Sequence, residues 1–354
     1  MVLNQQFQTI DILDTFESLI WTDRYSKYGD FEIYTPINSR ILESCKQDNY
    51  LWYKDSEHVM IIESILKGTD IEAGKTLTIT GRSLESLLYR RIVWRQTVIY
   101  GGVQAGIKQL ITENIINPIE PERKISNFIF EDSTDPAITG LPNIMAQYTG
   151  DDLYDVINKL CEYFGIGFKI MLNDNNQFVF KLYAGKNRSY SQTANPYVIF
   201  SPNFENIIDS KYLESKKTLK NVTLVAGEGE GTARKTTTIG TTAGLERREL
   251  FTDARDISSD ANGQVISDAD YYAQLKQRGE EKLVEYKVAK SFEGQVEATQ
   301  MFKYGRDFFL GDTVQVVDEY GIESKSRIDE IVRSQDKEGF NVYPTFTILE
   351  EDES

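Results

Sequence analysis

Between Thr9 and Thr80 short strand-like segments separated by turns show alternation on one face, the spacing that turns one face of a β-strand to a core and the other to water. Strands are expected at Thr9–Leu13, Ser18–Trp21, Phe31–Thr35, Tyr50–Lys54, Val59–Leu66 and Thr76–Thr80. The most informative stretch is FESLIWTDRYSKYGDFEIYTP, Phe16 to Pro36. An apolar strand ends near Trp21, a polar turn runs from Asp23 to Asp30 and closes at Gly29, and a second strand begins through Phe31 and Ile33, the plan of a hairpin. A short helix is expected over Ser83–Arg90, with Ser83 as its cap and Leu84, Leu87 and Leu88 inward.

The period then lengthens. Val103, Ile107, Leu110, Ile111 and Ile115 follow Gly101-Gly102 at helical spacing, and Asn117-Pro118 ends the run. A second helix carries Leu153, Val156, Ile157, Leu160, Cys161 and Phe164 on one stripe, with Gly165 as its stop. Thr149 with Asp152 reads as its capping box. Strands Phe168–Leu172 and Gln177–Ala184 flank a turn at Asn173-Asp174-Asn175-Asn176, and Phe178, Phe180 and Leu182 share a face. In the last third, strands are expected at Asn221–Ala226 and Thr236–Ile239 around the loop Gly227–Gly231. Ser267, with Asp270 three residues on, caps a long helix reaching about Tyr286, with Tyr272, Leu275, Leu283 and Tyr286 inward and Gly279 as its weak point. Alternation returns over Phe292–Phe302, at Val314 and Val316, and over Arg327–Val332 and Phe340–Leu349, before the acidic stretch Glu350–Ser354. The plan is β, then α+β, then β: an α+β chain, mainly β, divided as 1–97, 98–215 and 216–354.

Composition narrows the function classes. The 354 residues suffice for two or three cores, and 40% hydrophobic content with 24 glycines fits folded, turn-rich material. No apolar run approaches a membrane-spanning length, and Met1–Gln8 lacks the plan of a signal peptide, so nothing argues for export. Against 39 bases stand 55 acids, a formal net charge of −16, which opposes binding nucleic acid by phosphate neutralisation or docking on an anionic membrane. The same charge suits a surface past which DNA slides without sticking. The 20 tyrosines and 18 phenylalanines are expected mostly in cores, with some at subunit interfaces.

Candidate chemistry is sparse. His58 is the only histidine, which removes multi-histidine metal sites and most activated-nucleophile schemes, and its place after Ser56 and Glu57 reads as a surface turn. Cys45 and Cys161 are too far apart for a redox or metal pair, and Cys161 is expected as a buried thiol. Gly227, Gly229 and Gly231 do not fit a phosphate cradle, because glutamates intervene and a strand follows. The Asn173–Asn176 turn lacks the spacing of a calcium loop. Arg90, Arg91 and Arg95 form the best basic cluster, read as a salt-bridged rim, with contact to an acidic neighbouring subunit as the alternative. No catalytic, cofactor or metal residue is assigned, and the chain is read as not an enzyme.

Three strings carry a resemblance. Trp21, the pair Arg24-Tyr25, Gly29-Asp30-Phe31 and the strand ended by Pro36 resemble the opening of siphophage tail-hub (tail-associated) proteins. So do Gly81-Arg82-Ser83 with the leucines and paired arginines after it, and the run from Phe302 through Tyr304-Gly305, Asp307-Phe308 and Leu310-Gly311-Asp312 to Val314. The order of β and α+β segments is similar to that of hub proteins of contractile tails. The resemblance implies two tube-type β-barrel domains, at 1–97 and 216–354, with an α+β middle domain. The echo between Tyr28-Gly29-Asp30-Phe31 and Tyr304–Phe308 falls where such a duplication would put it. It further implies a homotrimer that closes the distal end of the tail tube, adapts six-fold to three-fold symmetry and opens for DNA. Its partners would be distal tail, tail tube, tape measure and tail fibre or tip proteins in the virion, after synthesis in the host cytoplasm. The rivals are a tail-associated cell-wall hydrolase and a receptor- or carbohydrate-binding baseplate protein.

Overall fold

The computed structural model describes residues 1–70, 74–296, 301–317, 321 and 323–349. The first third forms β1 (Val2–Leu3), β2 (Thr9–Asp11), β3 (Ser18–Arg24), β4 (Asp30–Pro36), helix α1 (Ser39–Ser44), β5 (Tyr50–Trp52), β6 (Val59–Asp70) and β7 (Gly74–Ser83). The middle holds β8 (Thr97–Gly102), α2 (Val103–Ile111), β9 (Phe128–Glu131), α3 (Pro136–Thr139), β10 (Asn143–Tyr148), α4 (Leu153–Phe164), β11 (Gly167–Leu172) and β12 (Phe178–Tyr183). Then come β13 (Ile199–Phe200), β14 (Ile207–Ser215), β15 (Val222–Ala226), β16 (Thr236–Ile239), β17 (Glu249–Asp253), β18 (Asp260–Ala261) and β19 (Gln264–Val265). Helix α5 (Asp268–Val284), β20 (Ala289–Val296), β21 (Thr313–Val317), β22 (Glu323–Gln335) and β23 (Phe340–Ile348) complete the fold.

The two ends of the chain share one sheet. Its order is β14, β20, β23, β22, β3, β4, β7, β6, β5, β1, β2, with β21 joining β22 to β13. The bond between halves is the antiparallel pair β3–β22, in which Trp21 lies opposite Arg333 and Asp23 opposite Ile331. Among the described residues this path is open, so the two tubes expected from the resemblance are not closed by strand pairing. Each half nonetheless has a core of its own. Trp21, Phe31, Ile33, Met60, Leu77 and Ile79 fill one, and Phe200, Phe292, Phe308, Val314, Ile328 and Phe346 the other.

Strand β6 explains how the middle part attaches. Its successive residues Val59, Met60, Ile61 and Ile62 are all buried, because the two faces serve different cores. Val59 and Ile61 join Leu84, Leu87 and Leu88 against α2, α4 and the β9–β12–β11 sheet, while Met60 and Ile62 face the first core. Burying each such side chain contributes roughly 1.5–3 kcal/mol, so a strand apolar on both faces ties two cores together. The polar turn from Asp23 to Asp30 is part of this junction. Phe168 N–H donates to Tyr25 O, Tyr154 Oη accepts from Tyr28 N–H, and the Asn158 amide donates to Ser26 O.

Several helix details depart from the sequence expectation. Residues Leu84–Arg90 form a 3-10 helix, and Ser83 does not cap it; its hydroxyl accepts from Gly29 N–H instead, at 2.7 Å. Helix α4 is preceded by Asp152, not Thr149, and no side chain caps it; Leu153 N–H donates to Arg91 O, so main chain replaces the predicted capping box. Gly165 does end α4, in the left-handed conformation at φ 67°. In α5 the Ser267 cap accepts from Asp270 N–H as expected. Tyr271 rather than Tyr272 points inward, held by Glu228 N–H and Ile257 O, whereas Tyr272 is exposed. The strands β1, β8, β9, β10, β13, β14, β17, β18 and β19 were not anticipated. Part of the Phe292–Phe302 alternation and the Glu350–Ser354 stretch lie outside the described residues.

Gly279 is a point of close approach. A Cβ there would lie 2.6 Å from Val225 Cγ2 and 2.8 Å from Ile239 Cγ1, two β-branched side chains of the β15–β16 hairpin with little freedom to move. Helix propensity alone promises a gain of about 1 kcal/mol for Gly279→Ala. The packing predicts that this gain is absent, and that Gly279→Leu loses about 2 kcal/mol to overpacking. Urea midpoints of the three proteins measure it; a stabilised alanine variant contradicts the packing argument.

Candidate functional site

The strongest concentration of buried charge lies where the three parts of the chain meet. Leu19, Trp21 and Asp23 occupy alternate, inward positions of β3, and Ile331 and Arg333 occupy the matching positions of β22. The sheet register therefore brings a carboxylate and a guanidinium to one buried place. Arg333 Nη1 lies 2.5 Å from Asp23 Oδ2, with the two side chains 3% and 1% exposed. Ser56 Oγ is 2.9 Å and 3.0 Å from the two Asp23 oxygens, and Trp21 Nε1 donates to Oδ1 at 3.0 Å. The guanidinium also lies 5.2 Å from the centre of the Tyr304 ring.

A second pair follows on the middle-part side. His58 Nδ1 is 3.0 Å from Glu85 Oε1, which also accepts from Ile170 N–H at 2.8 Å. Ser56 Oγ accepts from His58 N–H, linking the two pairs through one hydroxyl. Burial would push the His58 imidazole down, but the charges of Glu85 and Asp23 and the hydrogen bond to Glu85 outweigh it and raise its pKa to about 9. Glu85 is held below the usual carboxylate range: burial opposes this, and the His58 charge and hydrogen bonds from His58, Ser83 and Ile170 prevail. The surface-turn reading of His58 is thus corrected. Its neighbours Ser56 and Glu57 suggested a turn, but β6 begins just after it and carries the ring under the middle part.

A third pair joins the middle to the last third. Asp312 accepts from Arg188 Nε at 2.6 Å, from Lys186 N–H at 2.7 Å and from Phe309 N–H at 3.1 Å. Between these pairs runs a cleft of about 800 Å³, with Tyr183, Phe302 and Phe340 in its walls and Lys54, Lys186 and Lys303 at its rim. The chemistry available here is cohesion. Ser56 Oγ engages Asp23 and not the His58 ring, so the hydroxyl–imidazole contact needed to activate a nucleophile is not made. Each buried charge has an opposite partner, the arrangement that makes removal of one member costly.

The sequence singled out none of Asp23, Arg333 and Glu85. The available signal was a charged residue at an inward position of an otherwise apolar strand face, as in Leu19-x-Trp21-x-Asp23. Other candidates fall as follows. Arg90 pairs with Asp48 at 3.0 Å and Arg95 with Glu120 at 2.7 Å, while the Arg91 guanidinium, among the described residues, donates only to the carbonyls of Arg123 and Arg90. Cys45 and Cys161 are both buried and free; burial pushes the Cys45 thiol up to about 11 and raises Cys161 as well. The Asn173 side chain closes its own turn by accepting from Asn175 and Gln177 N–H. Gly227–Gly231 lies in the connection from β15 to β16. Among the described residues no acidic, histidine or cysteine group is placed to hold a metal ion, and no helix is long and apolar enough to cross a membrane.

Comparison with known proteins adds a family and a fold. Residues 1–346 match the family described as Siphovirus ReqiPepy6 Gp37-like protein. No curated protein matches the sequence. The fold is similar to that of the 43 kDa tail protein of prophage MuSo2 from Shewanella oneidensis, at TM-score 0.55 and 14% identity over 94% of each chain. It is also similar to prophage tail protein gp18 from Listeria monocytogenes EGD-e, at TM-score 0.53 and 13% identity, covering 100% of this chain and 94% of that one. A tail protein from Neisseria meningitidis MC58 matches at TM-score 0.55 and 14% identity, over 94% of this chain and 92% of that one. A siphovirus family and a tail-protein fold are where the sequence resemblance pointed.

Two measurements test the seam. Asp23→Ala leaves Arg333 buried without a counter-charge and is expected to cost about 3–5 kcal/mol, whereas Asp23→Leu with Arg333→Met recovers most of that loss. Equal losses in the single and double variants, read from urea midpoints, contradict a paired-charge seam. The His58 pair predicts a pH dependence. Because the folded pKa is raised, its contribution is full below the unfolded value of 6.5 and fades as pH rises through about 9. Stability should therefore fall between pH 6.5 and 9, and His58→Gln should flatten that slope; an unchanged slope in the variant rules the assignment out.

Proposed function

The chain belongs to the family of Siphovirus ReqiPepy6 Gp37-like proteins, and on that footing we propose that it is a structural virion protein, the hub at the tip of a siphophage or prophage tail. In this reading three copies form a ring that closes the distal end of the tail tube. The parts at 1–97 and 216–354 each contribute a tube-type barrel, so that three chains present six similar units to a six-fold tube, and the part at 98–215 braces them. Support for the duplication comes from the two cores strung along one sheet, on either side of β3–β22. The ring opens to pass DNA, and the excess of acid, −16 per chain, faces the channel and keeps DNA from adhering. Its partners are the distal tail and tail tube proteins, the tape measure protein and tail fibre or tip proteins. It acts by shape and assembly, with neither catalysis nor a cofactor.

The observation that carries this reading is the correspondence of fold to prophage tail proteins over 94% or more of this chain, together with the family match over residues 1–346. Imaging of the intact particle tests it. Three copies around the tail axis at the end of the tube are expected; a single copy off that axis overturns the hub reading, and a mainly basic channel wall overturns its electrostatic part. Zymography of the purified protein on cell-wall material, with cleavage observed, would instead favour a tail-associated hydrolase, and binding to host surface polysaccharide a receptor-binding role.

A further inference from the structure

We propose that the surface around Arg91, Trp94 and Ile119 is a docking site for the acidic segment Glu350–Glu353 of a second copy of this chain. The inference takes from the functional reading only that several copies share one assembly.

The site is a shallow hollow of about 470 Å³ where the Leu84–Arg90 helix meets the loop after α2. Its arginines are unequally satisfied. Arg90 has Asp48, and Arg95 has Glu120. Arg123 reaches Glu120 at 3.9 Å and lies 5.0 Å from the centre of the Trp94 ring. Among the described residues the Arg91 guanidinium donates only to two backbone carbonyls, Arg123 O at 2.9 Å and Arg90 O at 2.8 Å. It thus lies between two other cations with no carboxylate partner among the described residues, and burial together with the charges of Arg123 and Arg90 pushes its pKa down. Glu122 stands exposed at the edge of the hollow and leaves Arg91 unpaired.

Beside this cation Trp94 is 53% exposed, and Ile119, the chain neighbour of the lining residue Glu120, is 69% exposed. A tryptophan and an arginine at the centre of one patch are the residue types that carry most of the energy at protein interfaces. In a chain of net charge −16 a locally cationic, aromatic surface selects an acidic partner. The chain itself contains one: Glu350-Glu351-Asp352-Glu353, four acids in succession directly after the apolar pair Ile348-Leu349.

Geometry favours a neighbouring copy over the same chain. Leu349 N–H bonds to Lys325 O, which places the last described residue beside the start of β22. Arg327, two residues on, lies against Gly165 at the C-terminal end of α4, whereas Ile92 is bridged to Asp152 at its N-terminal end. Twelve helical residues separate these ends by about 18 Å, so Leu349 and Arg91 lie toward opposite ends of α4.

The test uses full-length protein and two readouts. Self-association is followed by native mass measurement for the unchanged chain, for Arg91→Glu, and for the quadruple variant E350Q, E351Q, D352N, E353Q. Both variants are expected to weaken association by tenfold or more, and combining them should add little further. In parallel a labelled peptide of residues 346–354 is titrated onto the quadruple variant, where affinity should fall at least tenfold with Trp94→Ala or Arg91→Glu and drop with salt. Arg91→Lys, which keeps the charge, retains most of the binding and shows that loss is not misfolding. Association and peptide binding indifferent to Arg91 overturn the docking site. If association persists in both variants, the multi-copy reading stands and this contact falls. If the peptide binds through Arg91 while the protein stays monomeric in the particle, the docking surface survives and the hub reading falls. Displacement of the peptide by a duplex DNA fragment at lower concentration than an unlabelled copy of the peptide also overturns the proposal, assigning the patch to phosphate.

Discussion

The fold depends on one strand pairing, β3 with β22, because it is the sheet contact that joins residues near the start of the chain to residues near its end. A pairing with a separation of about 310 residues closes a very long loop, and the entropy of that closure opposes it. Hydrogen bonds of the ladder do not by themselves fix its register, since a slip of one residue would make equally many. The inward charges do. A one-residue slip would turn Arg333 to the opposite face and leave Asp23 buried without its counter-charge, which costs more than a few lost ladder bonds. The Asp23–Arg333 pair is therefore better understood as a register lock than as a source of net stability, and Ser56 and Trp21 complete it by occupying the remaining lone pairs of the carboxylate.

The periodic parts of the fold were open to a reading of the sequence, and their tertiary roles were not. The β3–β4 hairpin, the apolar stripes of α2 and α4, the Gly165 stop and the Ser267 cap all follow from local spacing, and they form much as that spacing dictates. What local spacing cannot express is that one strand serves two cores. Val59 to Ile62 reads as a continuous apolar run, which fixes burial without naming the partners. The same blindness placed His58 at the surface, because polar residues next to a strand end look alike whether water or another part of the chain covers them. Tyr271 and Tyr272 show the limit at single-residue scale. Both fit a helical stripe within one position, and the choice is made by a hydroxyl that finds Glu228 N–H and Ile257 O only in the folded chain.

Charge is organised differently inside and outside. Among the described residues most charged side chains are exposed or half-buried, while the buried ionic groups at the junction come in matched pairs: Asp23 with Arg333, Glu85 with His58, Asp312 with Arg188. Each pair spans parts of the chain distant in sequence or is held by atoms from a second part, as Ile170 N–H holds Glu85. Such pairs stiffen a junction without strengthening it much, since the desolvation of two ions offsets most of their attraction. A molecule built this way resists changes in the relative placement of its parts more than it resists unfolding.

At the cleft of about 800 Å³ that property bears on what chemistry the buried groups can support. An active site at such a place would need a nucleophile or acid–base group free to change partners as a reaction proceeds. Here the imidazole and the carboxylates are committed to one another, and the one hydroxyl in reach, Ser56, is committed to Asp23. Groups that hold each other this tightly are poor at exchanging protons with a substrate, and well suited to keeping two half-sheets at a fixed angle. Both half-sheets hang on the β3–β22 pair, so the angle held there sets how the two cores are placed relative to one another.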